Sequence, residues 1–201
     1  MKTLILVDPQ IDFMPGGALA VPDGDRIIPV INRIISGFEL VVATQDWHPA
    51  VHKSFAVNHP GKKEFEIINL DGLEQKLWPP HCIQGTRGAE FHPDLQLNSV
   101  EAIFRKGMEE HIDSYSGFYD NGHRKSTGLS GYLREKGARE LYFSGLAADI
   151  CVYFTLLDAL REGFSANLIE DAAVPLDPQE FPNIKREILS RGGRLIQSAE
   201  L

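Results

Sequence analysis

The sequence predicts an α/β protein: a doubly wound, mostly parallel sheet with helices on both faces. Three observations carry this. Short, near-continuous apolar runs recur along the chain, helix-like segments lie between them, and chemically capable residues stand directly after several of the runs. Strands buried on both faces lack the polar alternation of a half-solvated sheet. Strands alternating with helices indicate βαβ units.

The strand candidates are TLILV (3–7), ELVVAT (39–44), EAIFR (101–105), ELYFSG (140–145) and ANLIED (166–171), with RLIQ (194–197) a weaker sixth. DRIIPVINRIISG repeats Ile and Val at helical spacing and stops at Gly37. TGLSGYLREKG begins on a Thr cap and ends at Gly137. ADICVYFTLLDALREG begins with Asp149 near its cap and ends at Gly163, and FPNIKREILSRGG follows the same plan. Ser, Thr or Asp at the start and Gly at the end are the ordinary punctuation of helices. Two segments, about 46–100 and 106–124, show no such periodicity, and long irregular loops in a compact domain tend to be functional. No repeat, low-complexity tract or linker interrupts the chain, so residues 1–201 read as one domain with a loop insertion at about 46–100.

Among 201 residues, 43% are hydrophobic and 24% charged, the balance of an ordinary globular chain rather than a disordered one. The net charge of -8 argues against nucleic acid and anionic membrane as partners, because both are bound through Lys and Arg. The opening MKTLILVDPQ is too short for a secretory h-region and has no small-residue cleavage site, and no apolar run approaches the ~18 residues of a membrane span. Two cysteines make no disulfide framework. The expected setting is cytoplasmic and reducing.

In a parallel sheet, ligands bind beyond the carboxyl ends of the strands. Asp8 follows TLILV, Asp46 and His48 follow the second run, Lys106 follows the third, and Cys151 lies just past ELYFSG. Cys151 is either a small buried residue or a nucleophile. Its position at a helix start, with Lys106 at a neighbouring strand end, predicts a lowered thiol pKa. The amides around Ala147 to Cys151 can form an oxyanion hole. Asp8, in VDPQIDF, is either a turn residue or the general base for the thiol, with Asp12 as its competitor. Lys106 competes with Arg105, and Gly107 after it permits close approach of the chain.

TQDWHPAVHKSF and the later WPPHC supply Asp46, His48 and His81, one carboxylate and two imidazoles. That donor set suits one divalent transition metal ion, Zn²⁺, Fe²⁺ or Mn²⁺. His52 and His59 are further ligand candidates, as is Cys82, although its adjacency to His81 makes the two side chains diverge. Phe13, Trp78 and Tyr115 flank these segments and can stack a flat aromatic ligand.

Together these motifs resemble the nicotinamidases, within the isochorismatase-like cysteine hydrolases, over essentially the whole chain. LILVDPQIDFMPGGALAV resembles the opening strand with its catalytic Asp at Asp8. TQDWHPAVHKSF resembles the metal loop, and WPPHCIQGTRGAEFHPDL the segment giving Trp78 and His81. FRKGMEEHIDSYSGFYDN carries the positions of Lys106 and Tyr115, and GLAADICV the nucleophile segment, with a cis peptide expected before Ala147. A familiar form of that segment has Thr at Ala148 and Tyr at Ile150, departures that touch neither the triad nor the metal positions. The resemblance implies hydrolysis of nicotinamide to nicotinate and ammonia through a Cys151 thioester, in NAD salvage. It implies an oxyanion hole at Ala147 and Cys151 and a ring pocket of Phe13, Trp78 and Tyr115. Pyrazinamide is a second expected substrate. Self-association into a homo-oligomer is left open. The alternatives are an amidase of the same superfamily acting on a ureido or N-carbamoyl compound, or a non-catalytic binding protein on this scaffold.

Overall fold

The computed structural model describes residues 1–201. β1 (Lys2–Val7) leads through α1 (Ile27–Ile34) to β2 (Leu40–Asp46). A two-stranded hairpin follows, β3 (Ile67–Leu70) and β4 (Leu73–Lys76), and then β5 (Ala102–Lys106). α2 (Leu129–Glu135), β6 (Glu140–Leu146), α3 (Cys151–Arg161), β7 (Ser165–Val174), α4 (Phe181–Ser190) and β8 (Arg194–Ile196) complete the chain.

The six-stranded sheet has the order β5-β2-β1-β6-β7-β8, and every neighbouring pair is parallel. Successive residues of β1 feed opposite faces, as the period of two requires. Ile5 and Val7 join the core of α2, α3 and α4, while Leu4 and Leu6 join that of α1. Helices therefore cover both faces, as expected from the unalternated apolar runs. The winding reverses between β1 and β6, and the crevice at such a reversal is where α/β sheets bind ligands. The two central strands approach closely there: a Cβ on Gly145 would stand 1.9 Å from the Val7 carbonyl oxygen, at φ +128°, so only glycine fits.

The irregular reading of 46–100 misses the β3–β4 hairpin. Asp71 and Gly72 both take left-handed backbone (φ 48° and 89°), the requirement of a tight two-residue hairpin turn. The Asp-Gly pair was the available signal. α3 begins at Cys151, and Asp149 does not cap it. Its carboxylate instead accepts the Leu176 and Asp177 amides, each at 2.8 Å, and pins the chain leaving β7. Thr127 does support α2, accepting the Leu129 amide at 3.2 Å. No helix is long and apolar enough to cross a membrane.

Candidate active site

Asp8 just after β1, Lys106 at the end of β5 and Cys151 at the start of α3 meet in one buried cluster. Lys106 Nζ lies 2.9 Å from Asp8 Oδ2, 3.0 Å from Asp46 Oδ1 and 3.5 Å from Cys151 Sγ, and donates to the Ser114 carbonyl at 2.9 Å. The parallel register pairs Asp46 with Lys106 and Gln45 with Arg105. Lys106 thus turns into the site, while the Arg105 guanidinium packs 3.9 Å above the Trp47 ring. Asp8 Oδ1 accepts the Thr44 hydroxyl at 2.6 Å. Oδ2 makes its charged contact with Lys106 off the line of a hydrogen bond and keeps an acceptor position for the thiol. Asp12 is no rival: its carboxylate accepts the Cys82 and Ala18 amides.

The expected lowering of the Cys151 thiol pKa is overturned. Burial pushes the thiol well above its ordinary value. Lys106 pulls it down, but Asp8 and Asp46 push it up again. A helix start and one ammonium do not outweigh desolvation in a site with more carboxylates than cations. Asp8 is also raised, by burial first, with Lys106 opposing and Asp46 adding. The pair is therefore a protonated thiol beside a strengthened base. Neither the Ala147 nor the Cys151 amide donates to another protein group, whereas the Ala148, Ile150 and Val152 amides are all engaged. The Leu146–Ala147 peptide is cis.

Asp46, His48 and His81 converge beside this cluster. Asp46 Oδ2 is 2.9 Å from His48 Nε2 and 3.3 Å from His81 Nε2. Nδ1 of each ring lies 2.8 Å from a backbone carbonyl, Gly107 for His48 and Pro79 for His81. A carbonyl accepts only from N–H, so Nδ1 of each ring carries a proton and Nε2, turned towards Asp46, is the atom each ring would offer a metal, the arrangement typical of metal-binding histidines. Three donors within 4.8 Å, all buried, fit one ion. Burial alone would raise Asp46, but His48 and Lys106 hold it well below the usual carboxylate range. His52 packs tilted against His48, with ring centroids 4.4 Å apart, while its Nδ1 faces Ser54 and its Nε2 the Ile112 carbonyl. Burial, then His48, pushes it down to about 4, and with His48 and Asp113 it forms a second group of buried donors within 4.8 Å of one another. His59 is spent on the Lys53 carbonyl at 2.7 Å. Cys82 is fully buried in the apolar core, its thiol pushed up by burial.

A cavity opens onto Cys151, Asp46 and His81 and is walled by Phe13, Trp78 and Tyr115. The Trp78 indole donates to the Tyr115 hydroxyl at 3.2 Å and locks that wall.

The family model of the isochorismatase domain matches residues 2–200. The chain is a member of the isochorismatase family. Within that family, a nicotinamidase of Escherichia coli is 45% identical, with 99% of this chain and 96% of the relative covered. The solved structure of an Acinetobacter baumannii nicotinamidase/pyrazinamidase superposes with a TM-score of 0.96 at 50% identity, covering 99% of this chain and 97% of that one. A pyrazinamidase of Pyrococcus horikoshii, solved in complex with zinc, gives a TM-score of 0.81 at 40% identity, covering 98% of each chain.

This isochorismatase-family site also uses residues that the sequence reading passed over. Gln10, fully buried, clasps the Asp46 backbone from both sides, accepting its amide at 2.7 Å and donating to its carbonyl at 2.8 Å. Thr44 orients Asp8. Asp113 lines the cavity, and Gln75 of β4 donates to it at 3.2 Å. Gln10 stands two residues after Asp8 in the same motif. Asp113 sits in an aperiodic loop and carries no signal of its own.

Proposed function

We propose that this chain is a nicotinamide amidohydrolase, converting nicotinamide and water to nicotinate and ammonia for return to NAD. The observation that carries the reading is the contact of Lys106 with both Asp8 and Cys151 at the floor of an aromatic-walled cavity that is also lined by Asp46 and His81. The similarity to nicotinamidases over nearly the whole chain supports it.

Phe13 and Trp78 sandwich the pyridine ring, and Tyr115 closes its edge. Asp46, His48 and His81 would hold one divalent ion, which supplies an electrophile for the ring nitrogen, directly or through water, and so orients the carboxamide. The zinc in the Pyrococcus relative supports Zn²⁺, and the donors equally suit Fe²⁺ or Mn²⁺.

Asp8 takes the Cys151 proton, and Lys106 steadies the carboxylate and the nascent thiolate. The sulfur attacks the carboxamide carbon, and the oxyanion faces the free Ala147 and Cys151 amides. Asp8 returns the proton to the departing nitrogen, and ammonia leaves a thioester. Asp8 then deprotonates water, which attacks the same carbon; nicotinate leaves, and the thiolate recovers its proton from Asp8. The raised Asp8 and Cys151 values suit this cycle, because the base is strong and the thiol is charged only when used.

Ammonia release tests the reading. Wild type should hydrolyse nicotinamide and pyrazinamide, and strongly prefer nicotinamide to benzamide, which carries the same carboxamide on a ring without nitrogen. His48→Ala should lose metal and most of that preference. Equal wild-type activity on nicotinamide and benzamide, with stoichiometric metal bound, would refute recognition of the ring nitrogen.

A further inference from the structure

Directly after β7 the chain reads Pro175, Leu176, Asp177, Pro178. Proline has no N–H, so this segment can be held through only two backbone donors, the amides of Leu176 and Asp177. Both go to one side chain: Leu176 donates to Asp149 Oδ1 and Asp177 to Asp149 Oδ2, each at 2.8 Å. Two amides on the two oxygens of one carboxylate fix direction as well as distance, and both bonds are charge-assisted. Beside them the Ala148 amide donates to the Val174 carbonyl at 2.8 Å.

The segment held in this way carries a wall of the catalytic cavity. Leu176 lines that cavity with Leu19, Val21 and Ile150. It is half-buried and packs against the apolar cluster that includes Phe13, Val21 and Ala147. Asp149 itself stands between the two amides left free for the oxyanion, two residues after Ala147 and two before Cys151. One carboxylate thus joins the turn that aims the sulfur to the loop that bounds the ring space. A carboxylate beside a helix start ordinarily accepts the free amides of the first turn. Asp149 faces the other way, α3 has no side-chain cap, and the Cys151 amide stays free.

Resting on the amidase reading above, we infer that Asp149 is a positioning residue for that reaction: it holds Leu176 at a fixed place relative to Cys151 and so sets how closely the cavity fits the ring. It lies outside the cavity lining and acts through Leu176. A wall on a loop with two prolines has no strand neighbour to keep it in place, so its position rests on this carboxylate. Asp8, Lys106 and Cys151 are held by other contacts. Loss of Asp149 therefore falls on ring binding before it falls on the chemistry.

The test measures ammonia release from nicotinamide and backbone hydrogen exchange in the metal-loaded protein. The forms compared are wild type, Asp149→Ala, Asp149→Asn, Leu176→Ala and the double variant of Asp149→Ala with Leu176→Ala. Asp149→Ala should raise KM roughly 10-fold, the scale of one ill-fitting methylene, and leave kcat within about threefold. Its Leu176 and Asp177 amides should exchange at least roughly 10-fold faster. Asp149→Asn keeps one acceptor oxygen and should fall between it and wild type. The double variant should have a KM within about twofold of Leu176→Ala, because the carboxylate acts through that side chain. A merely structural Asp149 would lower thermal stability and the active fraction, and hence kcat, with KM unchanged. KM within about twofold of wild type in folded Asp149→Ala overturns the inference, and so does full additivity in the double variant. Where Asp149→Ala does not fold, the KM and exchange of Asp149→Asn decide; failure of both to fold overturns the inference, because the carboxylate then serves the fold. Wild type that releases no ammonia overturns the amidase reading and the inference with it, a failure seen in the wild-type arm rather than in the variants.

Discussion

Gly107→Ala offers a sharp perturbation of the metal centre without touching a ligand. Gly107 has φ +67°, and an added Cβ would stand 2.3 Å from His48 Cε1, 2.6 Å from its Nδ1 and 3.0 Å from Asp46 Oδ1. Ordinary carbon contacts are about 3.5–4.0 Å, so the imidazole must retreat by roughly 1.2 Å. It has nowhere to go: the tilted His52 ring packs on one side, and Phe55 lies edge-on with centroids 5.3 Å apart. The 2.8 Å bond that sets the His48 tautomer ends on the Gly107 carbonyl, so the same shift breaks it. Left-handed backbone adds about 1–2 kcal/mol for a residue with a Cβ. Zn²⁺ affinity should fall by at least roughly 10- to 100-fold. A displacement of about 1 Å near the chemistry should cost on the order of 100-fold in kcat/KM for nicotinamide. Gly128→Ala is the control: φ is +91°, but nothing lies within 4 Å, so it carries the strain without the clash. It should lose stability alone. The assays are metal stoichiometry, chelator competition, ammonia release and thermal unfolding. Gly107→Ala with full Zn²⁺ affinity and wild-type kcat/KM would refute the reasoning.

Cys151→Ala should abolish turnover and still fold, because the site is small and already packed in the apolar core; a thiol reagent followed by mass spectrometry should modify Cys151, which lines the cavity, before the fully buried Cys82. Substantial turnover by the Ala variant would remove Cys151 as nucleophile. Away from the site, Glu162 accepts from Tyr119, Ser130 and Arg134, and these bonds, Tyr119 first, hold its pKa down at about 2 from 4.5. A depressed carboxylate stabilises the fold above its unfolded pKa and loses that contribution as pH falls through the folded one. Denaturant unfolding should therefore weaken from about pH 4.5 towards 2, and Glu162→Gln should flatten that slope. An unchanged slope in the variant would show that these bonds do not set the titration.

Much of this was legible in the chain because burial leaves a local mark. A strand covered on both faces must be apolar, so the run ending at Val7 announces itself, and Asp8 after it stands at the carboxyl edge of the sheet; β5, at the sheet edge with Ile103 exposed, is marked by a shorter apolar run before Lys106. Gly107 after Lys106 and the D-x-H of Asp46 and His48 were readable for the same reason, as backbone and ligand requirements confined to a few consecutive residues. The hairpin was missed although Asp71-Gly72 marks its turn. Asp113 was illegible because it sits in an aperiodic loop and the groups that face it in the site, Gln75 and His48, are distant in sequence.

The sequence by itself determined which segments form the sheet and which residue types reach its carboxyl edge. Only the tertiary structure decided which of several equivalent candidates meet. Lys106 rather than Arg105 enters the site because consecutive strand residues point to opposite faces, and the register of β5 on β2 sets Lys106 against Asp46. Asp8 rather than Asp12 meets Lys106, and His81 rather than His59 meets Asp46, while the Asp12 carboxylate is held by backbone amides and His59 by a backbone carbonyl. The protonation of Cys151 was decided there too. A pKa sums burial and every nearby charge through space: burial comes first here, and Asp8 and Asp46, which oppose Lys106, come from strands far apart in the chain.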